Sequence, residues 1–131
     1  MKRRSTFAIL AFIVTTLFAT NAGAQHGYRL EKQINFAAGQ SSAVVKGRIA
    51  DEQETHEYKF KAREGQRVEV RVTSRNTDMS FILTDAGDER IGDAALKTRN
   101  WEGELTATGE YRILVHALSG KGRYALFVTI K

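Results

Sequence analysis

The residues best suited to proton transfer or metal ligation near neutral pH are three histidines, His26, His56 and His116. None has a ligand-like neighbour at metal spacing. His56 lies in the polar run Glu52-Gln53-Glu54-Thr55-His56-Glu57, and His116 falls on the outward parity of an alternating stretch. All three are read as structural or incidental. Ser41-Ser42 follow a glycine, Gly39, but no G-x-S-x-G elbow is present to expose a nucleophile. No catalytic residue is assigned, and no enzymatic activity is expected. Two acid groups stand out: Asp51, Glu52 and Glu54, then Asp85, Asp88 and Glu89. Paired carboxylates can serve as acid and base or hold calcium. The twelve-residue calcium-loop pattern is absent, however, and Asp85 and Asp88 flank Gly87 in a stretch where turn geometry alone favours Asp and Gly. No metal or other cofactor is expected. Among the cations, Arg67, Arg71 and Arg75 share one face of a strand, as a solvated face or as a stripe for an acidic partner. Lys121 and Arg123, beside a glycine-bearing turn, are the sharper candidates for partner contact.

These side chains need a scaffold, and its dominant signal is alternation with period two, the mark of half-buried strands. Tyr111, Ile113, Val115 and Ala117 share one parity, and so do Tyr124, Leu126, Val128 and Ile130. Between them Ser119-Gly120-Lys121-Gly122 reads as a hairpin turn. Val68, Val70 and Val72 form another strand, Tyr58 and Phe60 another, and Phe81 and Leu83 another. Ala43, Val45 and Ile49 share a parity with Gly47, where a bend or bulge is expected. Ile34 and Phe36 suggest the first strand. Residues 89–105 are the least regular, with Ile91, Leu96, Trp101 and Leu105 giving a short strand or two. Tyr58, Phe60, Tyr111 and Tyr124 take the inward parity, so the aromatics build a core and not a carbohydrate platform. Seven or eight short strands with frequent turn signals predict an all-β, antiparallel β-sandwich.

The ends bound where this domain works. Lys2, Arg3 and Arg4 precede an uncharged apolar run over residues 7–14, which continues to Ala19 and closes at Ala22-Gly23-Ala24. This is the layout of a secretory signal peptide, with cleavage expected after Ala24. Its apolar centre is shorter than the roughly 20 residues of a membrane span. Residues 25–131 then form a single domain. The whole chain carries 20 Lys and Arg against 15 Asp and Glu, a net +5; residues 1–24 hold three of the bases and no acid, which leaves +2. Acids and bases interleave throughout, so nucleic-acid binding is not expected. No cysteine is present, so packing and strand pairing must supply the stability.

Phe36, Gly39, Ser41, Ser42 and Ala43, in the order F-x-x-G-x-S-S-A, are followed by G-x-I at Gly47 and Ile49. This pattern resembles the opening of the bacterial periplasmic inhibitors of goose-type (g-type) lysozyme. The likeness continues through Tyr58-Lys59-Phe60, residues 65–70, Gly109-Glu110-Tyr111 and the ending from Tyr124 to Lys131. The same outline is similar to the pre-peptidase C-terminal (PPC) domain, a β-sandwich. The resemblance implies a rigid plug that places loop residues in the lysozyme cleft, where a cationic side chain faces a catalytic acid. In that family an arginine in the loop before the last strand is one inhibitory element, and a tyrosine in the loop after G-x-I is another. Here Lys121 and Arg123 are the basic residues at the first place, and the second reads Ala50-Asp51-Glu52-Gln53-Glu54, without a tyrosine. The candidate partner-binding residues are thus Ser41, Ser42, Glu52, Gln53, Lys121 and Arg123. The expected function is lysozyme inhibition in the periplasm or outside the cell. The alternative is a free-standing PPC-like module for another envelope partner.

Overall fold

The computed structural model describes residues 29–91 and 98–131; the expected signal peptide and Leu96 lie outside them. Eight strands follow in chain order: β1 (Arg29–Gln33), β2 (Ser42–Ile49), β3 (Thr55–Ala62), β4 (Arg67–Ser74), β5 (Met79–Thr84), β6 (Asn100–Glu104), β7 (Gly109–Ala117) and β8 (Gly122–Ile130). They form two four-stranded sheets, β1-β3-β7-β5 and β2-β8-β4-β6. Every odd-numbered strand lies in the first sheet and every even-numbered strand in the second. All pairings are antiparallel except β1 with β3, which is parallel. The β-sandwich class is therefore as the alternation predicts.

Period two explains the core. Val68, Val70 and Val72 of β4 are buried, while the alternate Arg67 and Arg71 are exposed. Tyr58, Phe60, Phe81, Leu83, Ile113 and Val115 face inward from the first sheet. Ile49, Val70, Leu126 and Val128 face them from the second. Each such side chain contributes about 1.5–3 kcal/mol relative to exposure in water.

Three local expectations are corrected. The Ser119-Gly120-Lys121-Gly122 cluster does not close a hairpin. β7 pairs with β3 and β5, whereas β8 pairs with β2 and β4, so residues 118–121 carry the chain from one sheet to the other. Gly120 supplies the left-handed φ of 73° that this crossing uses. The first strand is not centred on Ile34 and Phe36 but precedes them, as the polar stretch Arg29–Gln33. It is an edge strand whose side chains are mostly exposed, held by the backbone ladder and by ion pairs, Arg29 with Glu57 at 2.8 Å and Lys59 with Glu31 at 3.6 Å. It has no buried parity to display. Gly47 makes no bulge either: the β2–β8 register runs through it without interruption. A Cβ at this position would collide with the Tyr124 hydroxyl and ring. The glycine makes room for that ring. Residues 85–89 do reverse the chain as expected, with Thr84 bridged to Arg90 and the Ile91 amide donating to the Leu83 carbonyl.

Candidate functional site

The end of the sandwich where β2 and β7 finish, and β3 and β8 begin, is built around a buried polar chain. Asp51 organises the 50–54 loop: its Oδ1 accepts the amides of Gln53 at 2.8 Å and Glu54 at 3.0 Å. Glu54, 8% exposed, turns its carboxylate inward. Its Oε2 accepts the Ala50 amide at 2.5 Å, and its Oε1 lies 2.8 Å from His56 Nε2. His56 Nδ1 lies 2.6 Å from the Tyr124 hydroxyl, which bonds in turn to that of Tyr58. With Glu54 ionised and the imidazole neutral, one order of protons satisfies the chain. Tyr58 donates to Tyr124, Tyr124 donates to Nδ1, and Nε2–H donates to Glu54. Both hydroxyls and both ring nitrogens of this chain are then satisfied. The chain crosses the core, since His56 and Tyr58 belong to β3 in the first sheet and Tyr124 to β8 in the second. Burial raises the pKa of both phenols; for Tyr58 the bond to Tyr124 partly offsets this, and for Tyr124 it adds to it. The tyrosines stay protonated. With His56 3% exposed, no substrate reaches the imidazole. The arrangement braces a loop.

Three loops are locked together at this end. The Gly120 amide donates to Glu52 Oε1 at 3.2 Å, joining the 50–54 loop to the 118–121 connection. Ser119 bonds the Asp78 carboxylate, and Asn76 Nδ2 donates to the carbonyls of Ser119 at 2.8 Å and Lys121 at 3.3 Å. Arg99 donates to the carbonyls of Ser74, Asn76 and Met79. Asp51, Glu52, Gln53 and Lys121 stand exposed on this braced tip.

The structure splits the six sequence candidates in two. Glu52, Gln53 and Lys121 share the tip, and Arg123, second residue of β8, lies just behind it, opposite Arg48. Ser41 and Ser42 lie at the other end of β2, where Ser42 faces Thr129. Eight strand residues separate the two groups, about 25 Å. Ser41 there borders an open groove of about 550 Å³ shared with Phe36, Lys61, Arg63 and Glu110.

The remaining candidates have local partners. Asp85 Oδ1 accepts the amides of Gly87 and Glu89, and Asp88 pairs with Arg112 at 2.6 Å, so these acids serve their turn and one arginine. Among the described residues, no three His, Asp or Glu side chains converge as a metal site. Arg67 pairs with Glu102 at 2.8 Å and holds that carboxyl below its usual pKa, while Arg71 lies 4.5 Å over the Phe127 ring. Ser80 Oγ lies 3.3 Å from His116 Nε2, but His116 Nδ1 has no partner among the described residues, so no acid completes a triad. Burial lowers the His116 pKa. His56 and Glu54 were missed as an internal pair. The signal was present: His56 shares its parity with Tyr58 and Phe60, which marks it as inward.

No family model matches the sequence, nor does any curated protein. Solved structures do match. The periplasmic inhibitor of g-type lysozyme PliG from Aeromonas hydrophila superposes with a TM-score of 0.67 at 23% identity, over 79% of this chain and 98% of that one. PliG from Salmonella Typhimurium gives 0.62 at 22% identity, over 78% and 98%. The pre-peptidase C-terminal domain of a Bacillus anthracis collagenase gives 0.55 at 18% identity, over 79% and 94%. The chain thus has the β-sandwich fold shared by the PliG lysozyme inhibitors and the PPC domain.

Proposed function

We propose that this chain is an exported, non-enzymatic inhibitor of a g-type lysozyme, with residues 1–24 a cleaved signal peptide and residues 25–131 acting in the periplasm or outside the cell. The observation that carries this reading is the fold shared with PliG inhibitors over nearly their whole length. The loop end is the inhibitory surface. Its 50–54 loop and 118–121 connection touch through Glu52 and Gly120 and are braced from below by Glu54, His56 and Tyr124. A rigid tip loses little conformational entropy on entering a cleft. Lys121 brings the positive charge that complements a catalytic acid. Titrating the purified domain into a g-type lysozyme tests the reading: activity falls to a stoichiometric endpoint, and unchanged activity at micromolar excess refutes it.

A second reading, a PPC-like module for another envelope partner, is favoured by one observation. Asp51 and Glu52 are exposed on the same tip as Lys121 and would repel an acidic cleft. Recovery of a partner other than lysozyme from an envelope extract, with binding lost on Lys121→Glu, supports it.

A further inference from the structure

The outer face of the second sheet divides its charges into two halves. Toward the tip, Arg48 and Arg123 stand directly opposite each other in the β2–β8 ladder. Arg75, just past the end of β4, lines the same surface depression as Arg123. In the next row Lys46 stands opposite Ala125. Lys46, Arg48, Arg75 and Arg123 are all exposed, and none joins an ion pair among the described residues. The carboxylates of this face, Glu69, Glu102 and Glu104, sit toward β6 and the other end, where Arg67 neutralises Glu102. The acids of the tip keep their charge but are held in the loops, Asp51 by its own turn, Glu52 by Gly120 and Asp78 by Ser119, and none of them pairs with this row.

Like charges directly opposite in a ladder destabilise it. An arginine row without counterions therefore opposes folding, yet it suits a surface of closely spaced phosphates, because the planar guanidinium forks match phosphate geometry. The same face also carries apolar side chains. Val44, 56% exposed, lies opposite Phe127, which is itself only half-buried. A free oxyanion would use the cations alone, whereas a bilayer interface offers phosphate charge and apolar depth together. We propose that the outer face of β2, β8 and β4 is a docking surface for an anionic phospholipid bilayer. Arg48, Arg75, Arg123 and Lys46 meet headgroup phosphates, Val44 lies toward the acyl boundary, and Phe127 packs beneath Arg71, which adds a further cation to the face. This assignment does not depend on lysozyme inhibition.

Co-sedimentation of the domain with vesicles of phosphatidylcholine plus phosphatidylglycerol, against phosphatidylcholine alone, tests it. The domain binds the mixed vesicles at low salt, releases as salt rises, and ignores the neutral ones. Replacing Arg48, Arg75 and Arg123 together with Gln weakens partitioning about 100-fold, at roughly five-fold per charge. Val44→Ser weakens it several-fold. A control that removes Lys32, Lys61 and Arg63 in the same way changes net charge equally and leaves binding within about two-fold, since Lys32 and Lys61 belong to the other sheet and Arg63 to the loop after β3. Thermal melting of the row variant at or above the parent value excludes unfolding as the cause. The proposal is overturned by absence of binding to mixed vesicles, by equal loss in the control, or by an unchanged Val44→Ser partition, which would leave only a phosphate site. Loss of lysozyme binding in the row variant without any vesicle binding would assign the face to a protein partner instead.

Discussion

Gly47 shows what a single residue decides here. The ring of Tyr124 occupies the space over its Cα, and a methyl group there would fall inside the ring's contact distance. Tyr124 cannot swing aside freely, because its hydroxyl is held between His56 and Tyr58. Gly47→Ala is therefore expected to cost about 1–3 kcal/mol, as overpacking does. It should also strain the bonds that brace Glu54 and the 50–54 loop. Denaturant unfolding measures the cost, and a double-mutant cycle assigns it. In a Tyr124→Ala background the same Gly47→Ala change should cost almost nothing, because the colliding ring is gone. An equal cost in both backgrounds would place the penalty in the backbone. The sequence marks Gly47 as special but not why. Its local signal is the same for a bulge as for a neighbouring side chain that needs room, and that neighbour is 77 positions away. His56 differs, because its parity with Tyr58 and Phe60 is legible, though the polar residues around it mask the signal.

At the scale of elements, alternation locates most of the strands but not their partners. Inward parity in β4, β7 and β8 could be read residue by residue, because each buries one full face. β1 could not, since an exposed edge strand has no buried parity to show. The crossing at residues 118–121 has the composition of a hairpin turn, and turn composition specifies a reversal without specifying a sheet. Sequential strands usually neighbour one another in a sheet, yet here every consecutive pair is divided between the two. This yields a sharp test. Replacing Ser119-Gly120-Lys121 with Asn-Gly gives the turn a true hairpin prefers. In this fold the connection must instead span the core, about 10 Å between sheets. The shortened chain should lose at least about 3 kcal/mol, comparable with other severe disruptions of a core, or fail to fold. A melting temperature equal to or above the parent value would show β7 and β8 to be a hairpin after all.

Across the whole molecule, the antiparallel strand pairs place the sequence candidates at opposite poles. The F-x-x-G-x-S-S-A pattern and the basic turn both read as one family signature, but a signature has no geometry. The ladder of β2 with β8 puts Ser41 and Ser42 at one end and Lys121 at the other, so the two groups belong to opposite ends of the sandwich. Bracing also distinguishes the two poles. Loops tied by Glu52, Asn76 and Arg99 cluster at the Lys121 pole, whereas the Ser41 pole opens on a groove. If the chain inhibits a lysozyme by entering its cleft, charge reversal at Lys121 should raise the inhibition constant at least ten-fold, since a like charge facing a cleft costs over 1.4 kcal/mol. Replacing Ser41 and Ser42 with Ala should leave that constant unchanged, because the Ser41 carbonyl that holds the Ile130 amide survives the change. Glu52→Gln separates two roles for its carboxylate. It keeps an acceptor for Gly120 while removing a charge that opposes the cleft, so inhibition should strengthen. The reverse pattern, with loss at the serines and indifference at Lys121, would put the enzyme in the groove and make the braced tip a purely structural cap.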